Sequence, residues 1–273
     1  CGMPISHTLS FDGLLSALTS RDYPAQITTL GDRHSELLLA MTHAVTERGG
    51  TRTEAQQKRI RIRRPTWRQL AGALRASIAL VVNELTRFAR ATGLHLDTDE
   101  HPLYPSVLKS DPIISRFASL GMFTHQRTPG SAPRTVENRL FLLNYFDRMI
   151  RHRVKEHTRE SIAIGRNATM QMHRMWIFAW DHNAVQPRRV AGRETRSRAE
   201  IALGGSRTIR RVKRDFFTRR IALRTPLPES MRRVWEAQLA TPPVRWKVGQ
   251  SGSGPRITQY ARRDLEAGYL HGG

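Results

Sequence analysis

Gly204-Gly205-Ser206-Arg207-Thr208-Ile209-Arg210-Arg211-Val212-Lys213-Arg214-Asp215-Phe216-Phe217 reads as a turn feeding a helix. The glycines supply the turn, and Ser206 is placed to cap the helix that follows. Ile209, Val212 and Phe216 recur at three and four residues, which gives one buried face. The opposite face carries Arg207, Thr208, Arg210, Arg211 and Arg214. A short rod with an apolar back and a cationic front suits the major groove of double-stranded DNA.

Working outward, 197–203 reads as a short helix before the glycine turn and 206–219 as the recognition helix. A further helix at 229–239 begins after Pro228. Residues 244–248 and 256–260 alternate in period two around a Gly/Ser loop, the pattern of a β-hairpin, with Arg245, Lys247 and Arg256 on it. Upstream, 187–193 is a basic turn region. The run 170–180, with Met172, Met175, Trp176, Ile177, Phe178 and Trp180, reads as buried core.

The first half repeats this logic. Residues 65–91 read as two helices broken at Ala76-Ser77, with Asn83 and Arg87 on the front of the second. Residues 111–120 form an amphipathic helix ended by Gly121. Two β-prone runs at 122–127 and 135–143 flank a Pro/Gly loop as a hairpin, with Arg127, Arg134 and Arg139 placed where a wing needs charge. A long helix follows at 144–164. The connector 51–64, where Ile60 and Ile62 alternate with cations, leans to an edge strand. Leu9, Leu14, Leu15 and Leu18 recur at helical spacing, so 8–48 reads as two helices closed by Gly49-Gly50.

Charge supports a polyanionic partner. The chain has 45 Lys+Arg against 23 Asp+Glu, a formal net charge of +22. The balance is −2 over residues 1–50, +8 over 51–150 and +16 over 151–273. Arginine outnumbers lysine 40 to 5, partly a matter of codon supply, and its planar fork pairs with phosphate or guanine. The near-neutral first fifty residues are assigned to pairing chains into a homodimer. No apolar run approaches the ~20 residues of a membrane span. One cysteine leaves no internal disulfide and points to a reducing cytoplasm.

A search for catalytic chemistry finds none that convinces. His95, Asp97, Asp99, Glu100 and His101 are ligand-type residues close together, and they read as a solvated acidic loop before Pro102. No second acidic cluster suggests a two-metal nuclease, and no phosphate loop or dinucleotide motif is present. The expectation is therefore a non-enzymatic protein with no cofactor and no metal.

The fold class expected is mainly α with small β-hairpins: an N-terminal helical segment at 1–50 and winged-helix units at 51–150 and 151–273. Two such units in an arginine-rich chain resemble tandem winged-helix plasmid replication initiators. That resemblance implies sequence-specific binding to repeated origin sites in DNA replication. A transcriptional regulator or partition protein with the same parts is one alternative. An arginine-rich RNA-binding or structural nucleoprotein component is the other. If the recognition helix is rightly placed, Arg210→Ala with Arg211→Ala abolishes sequence preference in a bound-fragment selection and leaves weak, salt-sensitive binding. Survival of the preference would misplace the helix.

Overall fold

The computed structural model describes residues 8–63, 69–88, 93–158, 164–189, 194–203, 205–218 and 227–242. Three long strands open it: β1 (Thr8–Leu18), β2 (Ser20–Asp32) and β3 (Leu38–Val45), paired as an antiparallel meander. β4 (Leu94–Thr98) then pairs parallel to the free edge of β1, and β5 (Phe123–Arg127) pairs parallel to β4. The result is one five-stranded mixed sheet in the order β3-β2-β1-β4-β5.

β1 is covered on both faces, and its side chains alternate between two cores. Leu9 and Phe11 face one core with Ile78, Val81, Val82 and Leu85 of α2 (Ala73–Thr86), together with α3 (Leu103–Ser110) and α4 (Pro112–Ser119). Leu14 and Leu18 face the other, with Leu142, Phe146 and Ile150 of α5 (Phe141–Arg153) and Met172, Met175 and Phe178 of α6 (Ala168–Trp180). α5 lies close on the sheet because Gly31 has no side chain. A Cβ there would stand 2.9 Å from Phe146 and 3.0 Å from Leu142.

These facts correct the expected fold class. The segment read as N-terminal helices is β1–β3. A strand buried on both faces hides its period of two, since apolar residues on either side mimic helical spacing. Residues 54–63 form helix α1 (Glu54–Arg63), not a strand; its side chains are mostly solvated, and Arg59 pairs with Asp22 at 3.0 Å. The first helix-turn-helix is replaced by one helix, α2, running through Ala76-Ser77, where the Ser77 hydroxyl donates to Thr42 of β3 at 2.8 Å. The hairpin expected at 122–143 does not form, because β5 pairs in parallel with β4 and α5 begins at Phe141. The hairpin at 244–260 lies outside the described residues.

The C-terminal helices follow the sequence reading more closely. α7 (Arg198–Ala202) starts at a reciprocal cap between Ser197 and Glu200. α8 (Ser206–Thr218) follows after a short turn, and α9 (Glu229–Trp235) begins after Pro228. A clasp ties this part to the sheet: Glu36, at the β2–β3 turn, pairs with Arg188 (3.3 Å), Arg189 (3.0 Å) and Arg198 (3.4 Å). Among the described residues no helix is long and apolar enough to cross a membrane.

Three histidines lie under this architecture. His43 of β3 donates from Nε2 to Gln171 of α6 at 2.9 Å, His157 Nδ1 lies 2.8 Å from the Ser16 hydroxyl, and His182 Nε2 donates to the Glu36 carbonyl at 3.1 Å. Burial, the largest cause for each, pushes them down to about 4, 3 and 4. Their folded values lie below the unfolded value, so the unfolded chain takes up protons first as pH falls. Stability should drop between pH 6.5 and 4 with a slope approaching three protons, ~4 kcal/mol per pH unit at most. Urea unfolding across that range checks it. A flat profile would mean that the three rings are solvated.

Candidate active site

The register of the central strands decides where the chemistry collects. In the parallel β1–β4 pair, Ser10 stands opposite Asp97. Two residues further on, and on the same face of the sheet, Asp12 of β1 comes beside Asp99, the residue after β4 is closed by Thr98. The two carboxyls stand close enough for the charge of Asp99 to disfavour ionisation of Asp12. Asp147 of α5, carried over the same face, stands near enough for its charge to act on Asp12. All three side chains belong to half-buried residues with access to solvent.

Backbone groups hold the pair in place. The Gly13 N–H donates to Asp12 Oδ1 at 2.6 Å, and the His101 N–H donates to Asp99 Oδ1 at 2.8 Å. Beneath them Tyr104 of α3 meets Phe11 edge to face, with ring centroids 4.6 Å apart. Burial first, then the charge of Asp99, pushes Asp12 up to about 7, and Asp147 adds to the effect. Burial and the same two aspartates push the Tyr104 phenol well above its ordinary range.

Asp97 provides the contrast on the same strand face. It is fully buried, yet Arg33 (3.2 Å), Arg139 (3.4 Å) and His95 (2.9 Å) converge on its two oxygens. One buried carboxylate thus collects two arginines and a histidine, while the charges that bear on neighbouring Asp12 are those of two further aspartates. As the side chains stand, no three His, Cys, Asp or Glu groups among the described residues could hold a metal ion. The Asp12–Asp99 pair nevertheless has the oxygen chemistry of a magnesium site. Magnesium keeps most of its waters and takes one or two carboxylates, completing its shell with substrate phosphate.

The loop read as solvated is therefore the end of a core strand and part of the site. The expectation of a protein without catalytic groups is corrected by this convergence, since Asp12, Asp99 and Asp147 are distant in sequence and meet only through the sheet register. No local motif announces Asp12 or Asp147. The signal at hand was the alternation of His95, Asp97 and Asp99.

The residues expected to bind DNA are dispersed. On α8, Arg207, Thr208, Arg210, Arg211 and Arg214 are exposed, while Ile209 is buried against Leu37, Ala199 and Ala202. Asp215 offsets part of that charge, at 3.9 Å from Arg211 and 3.7 Å from Arg214. Ser206 opens the helix. Asn83 and Arg87 lie on the exposed side of α2, where Arg87 pairs with Glu84 at 3.0 Å. Arg127 ends β5, and Arg134 lies exposed in the loop before α5. Arg245, Lys247 and Arg256 lie outside the described residues.

Fold and site together define a mixed α/β domain with a carboxylate group borne on its central strands. No family model and no curated relative matches the chain. Among solved structures it is similar to the HTLV-2 integrase catalytic core domain in complex with magnesium (trimeric form), at 10% identity and a TM-score of 0.38. That similarity covers 74% of this chain and 99% of the other.

A carboxylate held up near 7 costs folding free energy wherever the unfolded chain is ionised, from about pH 4 upward. Asp12→Asn should therefore stabilise the cation-free protein at pH 8 by ~1–3 kcal/mol, discounted for solvent screening, and have little effect at pH 4. Thermal unfolding of both proteins at the two pH values measures this. A destabilised variant at pH 8 would show that the Asp12 charge is compensated.

Proposed function

We propose that this chain is a divalent-cation-dependent enzyme that cleaves or transfers phosphodiesters of DNA. The observation that carries the reading is the Asp12–Asp99 pair with Asp147 at its side. The charges that bear on Asp12 are those of two further aspartates, in a protein with a formal net charge of +22. Elsewhere on the same face the fold supplies arginines to a buried aspartate, and the contrast with Asp12 supports a place for an external cation there. The sheet order, an antiparallel meander with two strands added in parallel beyond β1, is also that of RNase H-like domains. Such a likeness of topology is only an association, and the carboxylates carry the function.

A bound divalent cation supplies Lewis-acid polarisation of a phosphodiester and neutralises its charge. The chain's own residues do the rest. Asp12 and Asp99, fixed by the Gly13 and His101 N–H groups, present oxygens from two adjacent strands that cannot move apart. Asp147 approaches from α5, whose seat on Gly31 sets its height above the sheet. The wider positive surface, α8 included, attracts the polyanion and holds it by phosphate contacts. The same carboxylate chemistry here would serve either hydrolysis or strand transfer.

The test is cleavage of end-labelled duplex DNA with Mg²⁺ or Mn²⁺ and with EDTA. Wild-type protein should cut only with a cation, and Asp12→Asn, Asp99→Asn and Asp147→Asn should each lose at least ~100-fold in rate. Mn²⁺ should also raise the melting temperature of wild type more than that of Asp12→Asn. Cation-independent cutting, or full activity in any of the three variants, would overturn the proposal.

A further inference from the structure

Beside the carboxylate group the structure holds a second arrangement that the proposed chemistry does not use. Asp97 is buried to 0% exposure and accepts from Arg33 Nη1 on one oxygen. Its other oxygen takes Arg139 Nη1 and the His95 ring. These partners come from three elements: the turn after β2, the segment before α5, and β4 itself. Two arginines on one carboxylate leave a positive charge unspent, and their side chains remain 32% and 44% exposed. Each guanidinium has five N–H donors, and Asp97 engages only one nitrogen of each.

Position gives that excess a use. Asp97 and Asp99 lie two residues apart on one strand, so they share a face at a separation of about 7 Å. That is comparable to one nucleotide step along a nucleic-acid strand. The buried carboxylate holds one nitrogen of each guanidinium and leaves the others to meet a phosphate. The arginines thus stand at the end of the surface that leads along β4 to Asp99.

We infer that Arg33 and Arg139, held by Asp97 together with His95, form a phosphate-binding site for the backbone phosphodiester that flanks the one placed over Asp12 and Asp99. The inference rests on the proposed phosphodiester chemistry, but its test is binding without a cation. Affinity of the full chain for a labelled duplex is measured in EDTA by fluorescence anisotropy over a range of NaCl. Arg33→Gln with Arg139→Gln should weaken binding at least 10-fold and lower the slope of log K against log [NaCl] by about 2.

That double variant leaves Asp97 buried with His95 but without its arginines and could lose structure. The triple variant that adds Asp97→Asn removes the orphaned charge as well. If the cluster only braces the fold, the triple variant regains both melting temperature and DNA affinity. If it binds phosphate, melting temperature recovers and affinity stays low. Arg75→Gln with Arg116→Gln, on the α2–α4 side of the sheet, loses the same charge and should bind as wild type does. Wild-type affinity in the triple variant, or an equal loss in the control, would overturn the inference. Absence of cation-dependent cleavage in wild type would instead count against the proposed chemistry and leave these binding results standing.

Discussion

The pairing of β1 on both edges governs the rest of this molecule. Its antiparallel partner β2 completes the hydrophobic meander, and its parallel partner β4 sets the register that opposes Ser10 to Asp97. Two residues along, that register delivers Asp12 to Asp99. Burial of β1 on both faces also fixes the phase: a slip of one residue would send Leu9 and Phe11 to the wrong core and turn Asp12 into the α2 layer. The site is therefore as rigid as the core.

Two aspartates on adjoining positions of one face show how differently the fold treats buried charge. Asp97 is surrounded by Arg33, Arg139 and His95, and the whole group joins β2, β4 and the approach to α5. Asp12 has a backbone N–H and two like-charged neighbours. Keeping an uncompensated carboxylate in a folded chain costs stability, and such costs persist at sites that need them.

What the sequence revealed was local. The short helix after Ser197, the start of α8 at Ser206, the start of α9 after Pro228 and the buried Met172 and Met175 of α6 could all be read from neighbouring residues. Asp111 likewise caps α4, accepting from the N–H groups of Ile113 and Ile114. The sheet was not legible. Leu9, Leu14, Leu15 and Leu18 fit a helical stripe, and only the structure shows that they divide between two cores, with Leu15 58% exposed. The β-prone run at 123–127 was read as half of a hairpin, because a parallel partner far back in the chain leaves no local trace. Asp12 and Asp147 carry no motif, so the site emerges only when the strands are paired. The resemblance to winged-helix initiators drew on two hairpin units. A mixed sheet stands in place of the first, and the second lies outside the described residues.

The proposed chemistry places a divalent cation between Asp12 and Asp99. Anomalous diffraction from crystals soaked in Mn²⁺ reads this directly. The account predicts a peak within coordination distance of oxygens from both carboxylates, with Asp147 turned toward it. A peak elsewhere, or none at millimolar Mn²⁺, would contradict it.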